Sequence, residues 1–258
     1  MVQDTVSHAG GSVAPEKAAA AGVTGEGFSQ TRKTLILTRA LLAAGVIAGP
    51  LYILVGVVQI LIRPGFDIRR HELSLMSNGD LGWIQIANFV VTGLLVIACA
   101  IGMRLVLRGS RGGTWGPLLV AVYGAGLIAA GAFVADPMNG FPPGAPAGSP
   151  AAISWHGLLH FLSGAVGFVA LIAACLAFAR RFAVLRQPAW SAYSVATGVL
   201  FLAAFIGIAA GPHQEGVHLG FIDATFVNLG FTVAVILGWA WISAVAARLM
   251  TEVSGAED

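Results

Sequence analysis

Six long apolar runs, at residues 40–62, 83–103, 115–135, 155–179, 190–210 and 221–247, constrain this chain more than any other feature. Only small or uncharged polar residues interrupt them, apart from Asp223 in the last run and His156 and His160 near the start of the fourth. A helix rises about 1.5 Å per residue, so every run reaches the roughly 30 Å of hydrocarbon in a bilayer. No water is present there to satisfy exposed backbone groups, so a spanning segment is either a helix or a strand of a closed barrel. Barrel strands alternate apolar and polar residues, and these runs do not, which leaves helices. Composition agrees. Charged residues make up 10% of the chain, where soluble domains carry about a quarter. That is too little charge to coat a globule in water. The expected fold is all-α: a six-helix transmembrane bundle over residues 35–250, with the lipid bilayer as its solvent and partner. The bundle is flanked by a disordered cytoplasmic tail (1–34) and a short cytoplasmic tail (251–258).

The first thirty or so residues are rich in Ala, Gly, Ser and Val and show no sustained period, which is the signature of a tail. The apolar run after them starts too late and is too long for the core of a secretory signal. The Met1-Val2 start also lacks the myristoylation pattern.

Orientation follows from Lys and Arg, which concentrate on the cytoplasmic side. One side holds eleven: Lys17, Arg32, Lys33, Arg39, Arg104, Arg108, Arg111, Arg180, Arg181, Arg186 and Arg248. The other side has Arg63, Arg69 and Arg70, and its last two connections have none. Both termini are therefore expected in the cytoplasm. Trp83, Trp115, Trp155 and Trp190 open spans, and Trp239 and Trp241 lie in the inner third of the last span. All six are expected at the headgroup layer, where an indole is half buried and its N–H is wet.

Glycines number 34, with small-xxx-small spacing at Gly45/Gly49 and Gly207/Gly211 and a crowd at Gly124, Gly126 and Gly131. Such positions let helix backbones approach closely where lipid supplies no hydrophobic drive. Cys99 and Cys175 sit inside apolar runs and are expected as small buried side chains, not a disulfide.

The three outer connections differ. In 63–82, Pro64-Gly65 ends the first span, Asp67 is a candidate N-cap and Asn78-Gly79 a stop, which predicts a short outer helix lying in the interface. Five prolines (137, 142, 143, 146 and 150) make 136–154 an irregular loop, and 211–220 is a His-rich turn. Polar residues gather on this side: His71, His156, His160, His213 and His218, with Asp67, Glu72, Asp80, Asp136, Glu215 and Asp223. Gln59, Gln85, Asn88 and Asn228 add to them at the outer ends of spans. Ionisable groups at membrane depth are costly and mark functional sites.

Within this set, His156 and His160 stand one helical turn apart on one face, the spacing by which two imidazoles share a metal ion. Ser163 continues that face. Asp136 closes the third span at the same level and is open to three roles: metal ligand, orienter of an imidazole, or solvated helix end. His71 and Ser74 sit on the first outer connection, which can fold over the bundle mouth. The candidate metal ligands are thus His71, His156, His160 and Asp136, with zinc the candidate ion and Asp136 and Ser74 the catalytic candidates. His213 and His218 are expected in solvent. No Walker loop, nucleophile elbow or dinucleotide fingerprint stands in a suitable setting. A net charge of +2 gives no reason to expect a nucleic-acid partner.

The segments Gly65-Phe66-Asp67, His71-Glu72-Leu73-Ser74, Asn78-Gly79, Gly82-Trp83-Ile84-Gln85, Asn88-Phe89, Asp136-Pro137, Gly140-Phe141-Pro142 and His156 to His160 together resemble the bacterial domain-of-unknown-function family 998. The resemblance covers roughly residues 40–249 and implies a six-span bacterial membrane protein with no assigned reaction. A fainter similarity links the order His71, Ser74, Asp136, His156, His160 to the membrane hydrolases that include alkaline ceramidases and adiponectin-type receptors. Those have seven spans with the His pair on the last, whereas here the pair opens the fourth. Two readings result. One is a membrane protein whose outward-facing His/Asp pocket binds a small ligand or lipid headgroup. The other is a zinc-dependent hydrolase of lipid amides or esters. Metal requires the nitrogens of His71, His156 and His160 to lie within about 5 Å of one point.

Overall fold

A computed structural model describes the chain over residues 16–110, 113–210 and 224–254. Two units are distinguished, residues 1–37 and 38–258, and the architecture below is that of the second. The helices are α1 (Glu16–Ile62), α2 (Gly82–Val106), α3 (Trp115–Ala132), α4 (Trp155–Val184), α5 (Pro188–Ala210) and α6 (Ala224–Ser254), with a short 3-10 helix, Leu73–Ser77, between α1 and α2. Six of these are long and apolar enough to cross a membrane. Leu61, Trp83, Val166 and Phe226 each leave more than half of the side chain uncovered on the bundle's outside, an apolar surface that only lipid tolerates over such an extent. The protein is an integral, multipass, all-helical membrane protein.

Each helix from α2 onward packs against the next, and α6 also meets α2. Ser243 of α6 donates to the carbonyl of Gly45 in α1 at 3.1 Å, which closes the bundle. Glycine makes the tight crossings, as the spacing predicts. A Cβ at Gly124 would stand 2.8 Å from the Gly93 carbonyl oxygen, and one at Gly126 would stand 2.9 Å from that of Ser163. Gly49 packs likewise on the Trp239 carbonyl. Gly207 is looser, with Val227 at an ordinary 3.6 Å, and Gly211 lies outside the described residues. Both cysteines are free and buried.

Several expectations need correction. α1 begins at Glu16, ahead of the expected start of the first span. α4 extends to Val184, through Arg180 and Arg181, because a charged side chain leaves the membrane without breaking a helix. α3 stops at Ala132, three residues early, where the backbone turns extended at Phe133. α6 runs to Ser254, and Glu252 in its last turn pairs with Arg248 at 3.7 Å and Arg181 at 3.8 Å. The largest correction concerns Trp239 and Trp241, which are fully buried and not interfacial. Trp239 stacks on Tyr52 at 4.7 Å, and Trp241 donates its indole N–H to Ser194 at 2.9 Å. Both indoles fill the centre of the bundle. Trp83, Trp115 and Trp155 are exposed.

Candidate functional site

The end of the bundle that carries the histidines is closed by a cap built from the first connection and the Pro-rich loop. Arg63, just past α1 and only 7% exposed, is its strut. Its guanidinium donates to the Met76 carbonyl at 2.9 Å and to that of Asn78, and lies 5.3 Å above the Phe141 ring. Burial lowers the pKa of this guanidinium and the Asp80 carboxylate raises it again. Phe141 in turn packs with Leu75 and Ala135, with Phe66 and Met138 around them. The expected interfacial helix is therefore a 3-10 turn with Leu75, Met76 and Ser77 buried. Asp67 caps the turn that precedes it, accepting from the Arg69 N–H at 2.9 Å. The stop at Asn78-Gly79 is as the sequence indicates, Gly79 taking a φ of 73°.

His71 locks the two halves of this cap together. The Asp67 N–H donates to its Nδ1 at 2.9 Å, so that nitrogen is unprotonated and Nε2 carries the hydrogen. Nε2 then donates to the Asn139 carbonyl, 68 residues away, at 2.9 Å. Asn228 of α6 clamps the same segment from below, donating to the Ile68 and His71 carbonyls at 2.8 and 3.0 Å. His160 has a comparable duty. Its Nδ1 lies 3.0 Å from the Ala130 carbonyl and 2.7 Å from that of Phe133, so it donates to the last carbonyls of α3, which no helical N–H can reach. Asp136 accepts from the Ser154 N–H at 2.8 Å and from its hydroxyl at 2.5 Å, and the Ser154 hydroxyl accepts from the Gly157 N–H at 3.0 Å. That relay caps the N-terminus of α4 with a carboxylate behind it, where the helix dipole favours negative charge. Only glycine at 157 lets the carboxylate come so close.

The four candidate metal ligands are not brought to one point. Among the described residues no three His, Cys, Asp or Glu side chains form a group that could hold a metal ion. Both nitrogens of His71 are committed to backbone partners, His160 turns to the end of α3, and His156 is exposed beside Trp155. A zinc ion needs lone pairs converging on it, and His71, His160 and Asp136 each hold a helix end or join loops. Ser163 donates back to Leu159 at 2.7 Å, and the Ser74 carbonyl accepts from Ser77. His213, Glu215, His218 and Asp223 lie outside the described residues.

Beneath the cap lie three of the uncharged polar residues that the sequence analysis places at the outer ends of spans. Gln59 of α1 and Gln85 and Asn88 of α2 are almost completely buried. Gln59 donates to the Gln85 oxygen at 2.7 Å, and Asn88 donates weakly to that oxygen and to the Tyr52 carbonyl, at 3.4 and 3.3 Å. Gln59 Oε1, Asn88 Oδ1 and, deeper, Trp239 Nε1 have no partner, while the Gln85 amide also meets the Tyr52 hydroxyl. Gly56 lies between Tyr52 and Gln59 on the same face of α1. It is buried, yet a Cβ built on it would meet nothing within 4 Å. Open space therefore lies about one helical turn from Gln59. One turn the other way, Tyr52 stacks on Trp239 at 4.7 Å and meets Phe89 at 6.1 Å.

No curated protein and no solved structure matches the chain. The profile of the family described as "Protein of unknown function (DUF998)" matches residues 46–248, which takes in the cap, the amide layer and all six spans. The chain therefore belongs to the DUF998 family.

Proposed function

We propose that this protein binds an uncharged, hydrogen-bonding molecule, of the class of a polyol or a neutral lipid headgroup, in the chamber between Gly56, Gln59, Gln85 and Asn88. The bearing observation is the coincidence of open space at Gly56 with two buried amide oxygens, on Gln59 and Asn88, that have no partner. Each unmet buried polar group costs about 1–3 kcal/mol, so an amide layer that merely joined helices would be more stable with apolar residues of the same shape. Among the described residues the lining is Gln, Asn and aromatic, with no ionisable carboxylate or amine, which suits hydroxyls and amides and disfavours ions. The cap above explains how such a site is shut: the His71 contact to Asn139 and the Arg63 strut are a few hydrogen bonds that can part. We place this end on the outer face of the cell membrane, with both termini cytoplasmic, because arginines dominate the other end.

Plugging the chamber tests the reading. Gly56→Leu fills open space and leaves in place every hydrogen bond described above. Purified wild type and variant are melted with glycerol, myo-inositol, glucose and a monoacylglycerol in turn. At least one should raise the melting temperature of the wild type and none that of Gly56→Leu, which alone melts no lower. A shift that survives in Gly56→Leu, or no shift in either protein, refutes the proposal. The zinc hydrolase reading receives no support from the geometry, since among the described residues no three candidate ligands form a group that could hold a metal ion.

A further inference from the structure

At the opposite, arginine-rich end, an open groove of about 640 Å³ runs along the outside of α5 from the α4–α5 turn. Arg186 and Pro188 stand at its mouth, and Ser191, Val195, Ala196 and Val199 continue down one face of the helix. Pro188 and Val199 are eleven residues apart, or about 16 Å at helical rise, which is close to the depth of one leaflet of hydrocarbon. These side chains are short, so they leave a trough where neighbouring Leu200 and Leu202 project into lipid. Arg186 itself is held in an unusual way. The Gln187 N–H returns to the Phe182 carbonyl at 2.8 Å and the Arg186 N–H to that of Ala183 at 3.0 Å, the helix ending that places its last residue in the left-handed region. Arg186 has a φ of 55° there, in a position glycine ordinarily fills. An arginine kept at a glycine position points to a use for its charge.

We propose that this groove holds one anionic phospholipid, with an acyl chain along Val195 and Val199 and the phosphate on Arg186. The charge balance fits: Arg104, Arg108, Arg180, Arg181, Arg186 and Arg248 surround this end, and from Thr38 onward Glu252 is its single carboxylate among the described residues, already facing Arg181 and Arg248. The N-terminus of α5 opens at the same mouth, and its dipole adds to the attraction for a phosphate. A zwitterionic lipid fills the trough equally well but gains nothing net from the arginines, so headgroup charge is the discriminating property.

The test uses the full chain in mild detergent, titrated with phosphatidylglycerol or phosphatidylcholine and read by native mass spectrometry. One phosphatidylglycerol should bind at least tenfold more tightly than phosphatidylcholine. Arg186→Gly suits the left-handed backbone and keeps the fold, and should abolish that preference; Val195→Phe fills the trough and should weaken both lipids. Equal binding of the two lipids by the wild type, or undiminished phosphatidylglycerol preference in Arg186→Gly, overturns the proposal. So does full competition by millimolar inorganic phosphate, which would make the site one for a free anion.

Discussion

Adding one methyl group at either of two helical glycines should have opposite effects. At Gly126 in α3, a Cβ would stand 2.9 Å from the Ser163 carbonyl oxygen and 3.0 Å from the Gly167 Cα, against ordinary contact at 3.4 Å or more. Both obstacles are backbone of α4, so no side chain can swing away and the two helices must separate by about 0.5 Å. A gap of that size already forfeits around a quarter of the dispersion well along the interface. Overpacking of this kind costs about 1–3 kcal/mol, and for a chain of this length that lowers the melting temperature by roughly 2–12 °C. At Gly56 the same methyl enters open space, while helix propensity and lost unfolded-state freedom favour alanine by about 0.5–1 kcal/mol. Differential scanning fluorimetry in one detergent should therefore show Gly126→Ala below the wild type and Gly56→Ala level with it or a few degrees above. Destabilisation by Gly56→Ala as large as that by Gly126→Ala would mean there is no gap beneath the cap, and would remove the ground for a chamber.

Replacing Arg63 with Met keeps the stem but strips the Met76 and Asn78 carbonyls of their donor, and should cost about 1–3 kcal/mol. Limited proteolysis should then cut within 63–80, where the wild type resists; equal resistance would count against the strut. His160→Ala removes the donor to the α3 carbonyls and should destabilise by about 1–2 kcal/mol, whereas a chelator should leave the wild-type melting temperature unchanged. One tightly held equivalent of zinc, lost together with stability in His160→Ala, would restore the hydrolase reading. A cysteine at Gly148 should react with an impermeant maleimide on intact cells and one at Gly109 should not. The reverse pattern would invert the topology.

The number and rough limits of the spans were legible because crossing hydrocarbon demands length and apolarity, both of which a sequence displays. The prolines of 136–154 likewise announced an irregular loop. Which face of each span turns inward was not legible. A helix apolar all round offers no stripe to read, so Trp239 and Trp241 looked like interface anchors when they fill the core. The candidate site shows the same division. That polar residues crowd one end was plain from their positions, but their partners were not. His71 answers to a carbonyl 68 residues on, and Asp136 to a serine across the whole Pro-rich loop. One local signal does stand in the sequence: Ser154, three residues before Gly157, is an N-cap whose hydroxyl accepts from the Gly157 N–H, which accounts for a nearby acid without a metal. The gap at Gly56 left no trace in the sequence, since a glycine facing open space and one against a neighbouring backbone are written alike.

The central claim is that the orphaned amides face a ligand, and an experimental density map of the protein in lipid nanodiscs tests it most directly. The account predicts a feature larger than a single water beside Gly56, within hydrogen-bonding distance of Gln59, Gln85 and Asn88, and its loss in Gly56→Leu. Amides that close on one another, with side chains packed over Gly56 and no density between, would contradict it.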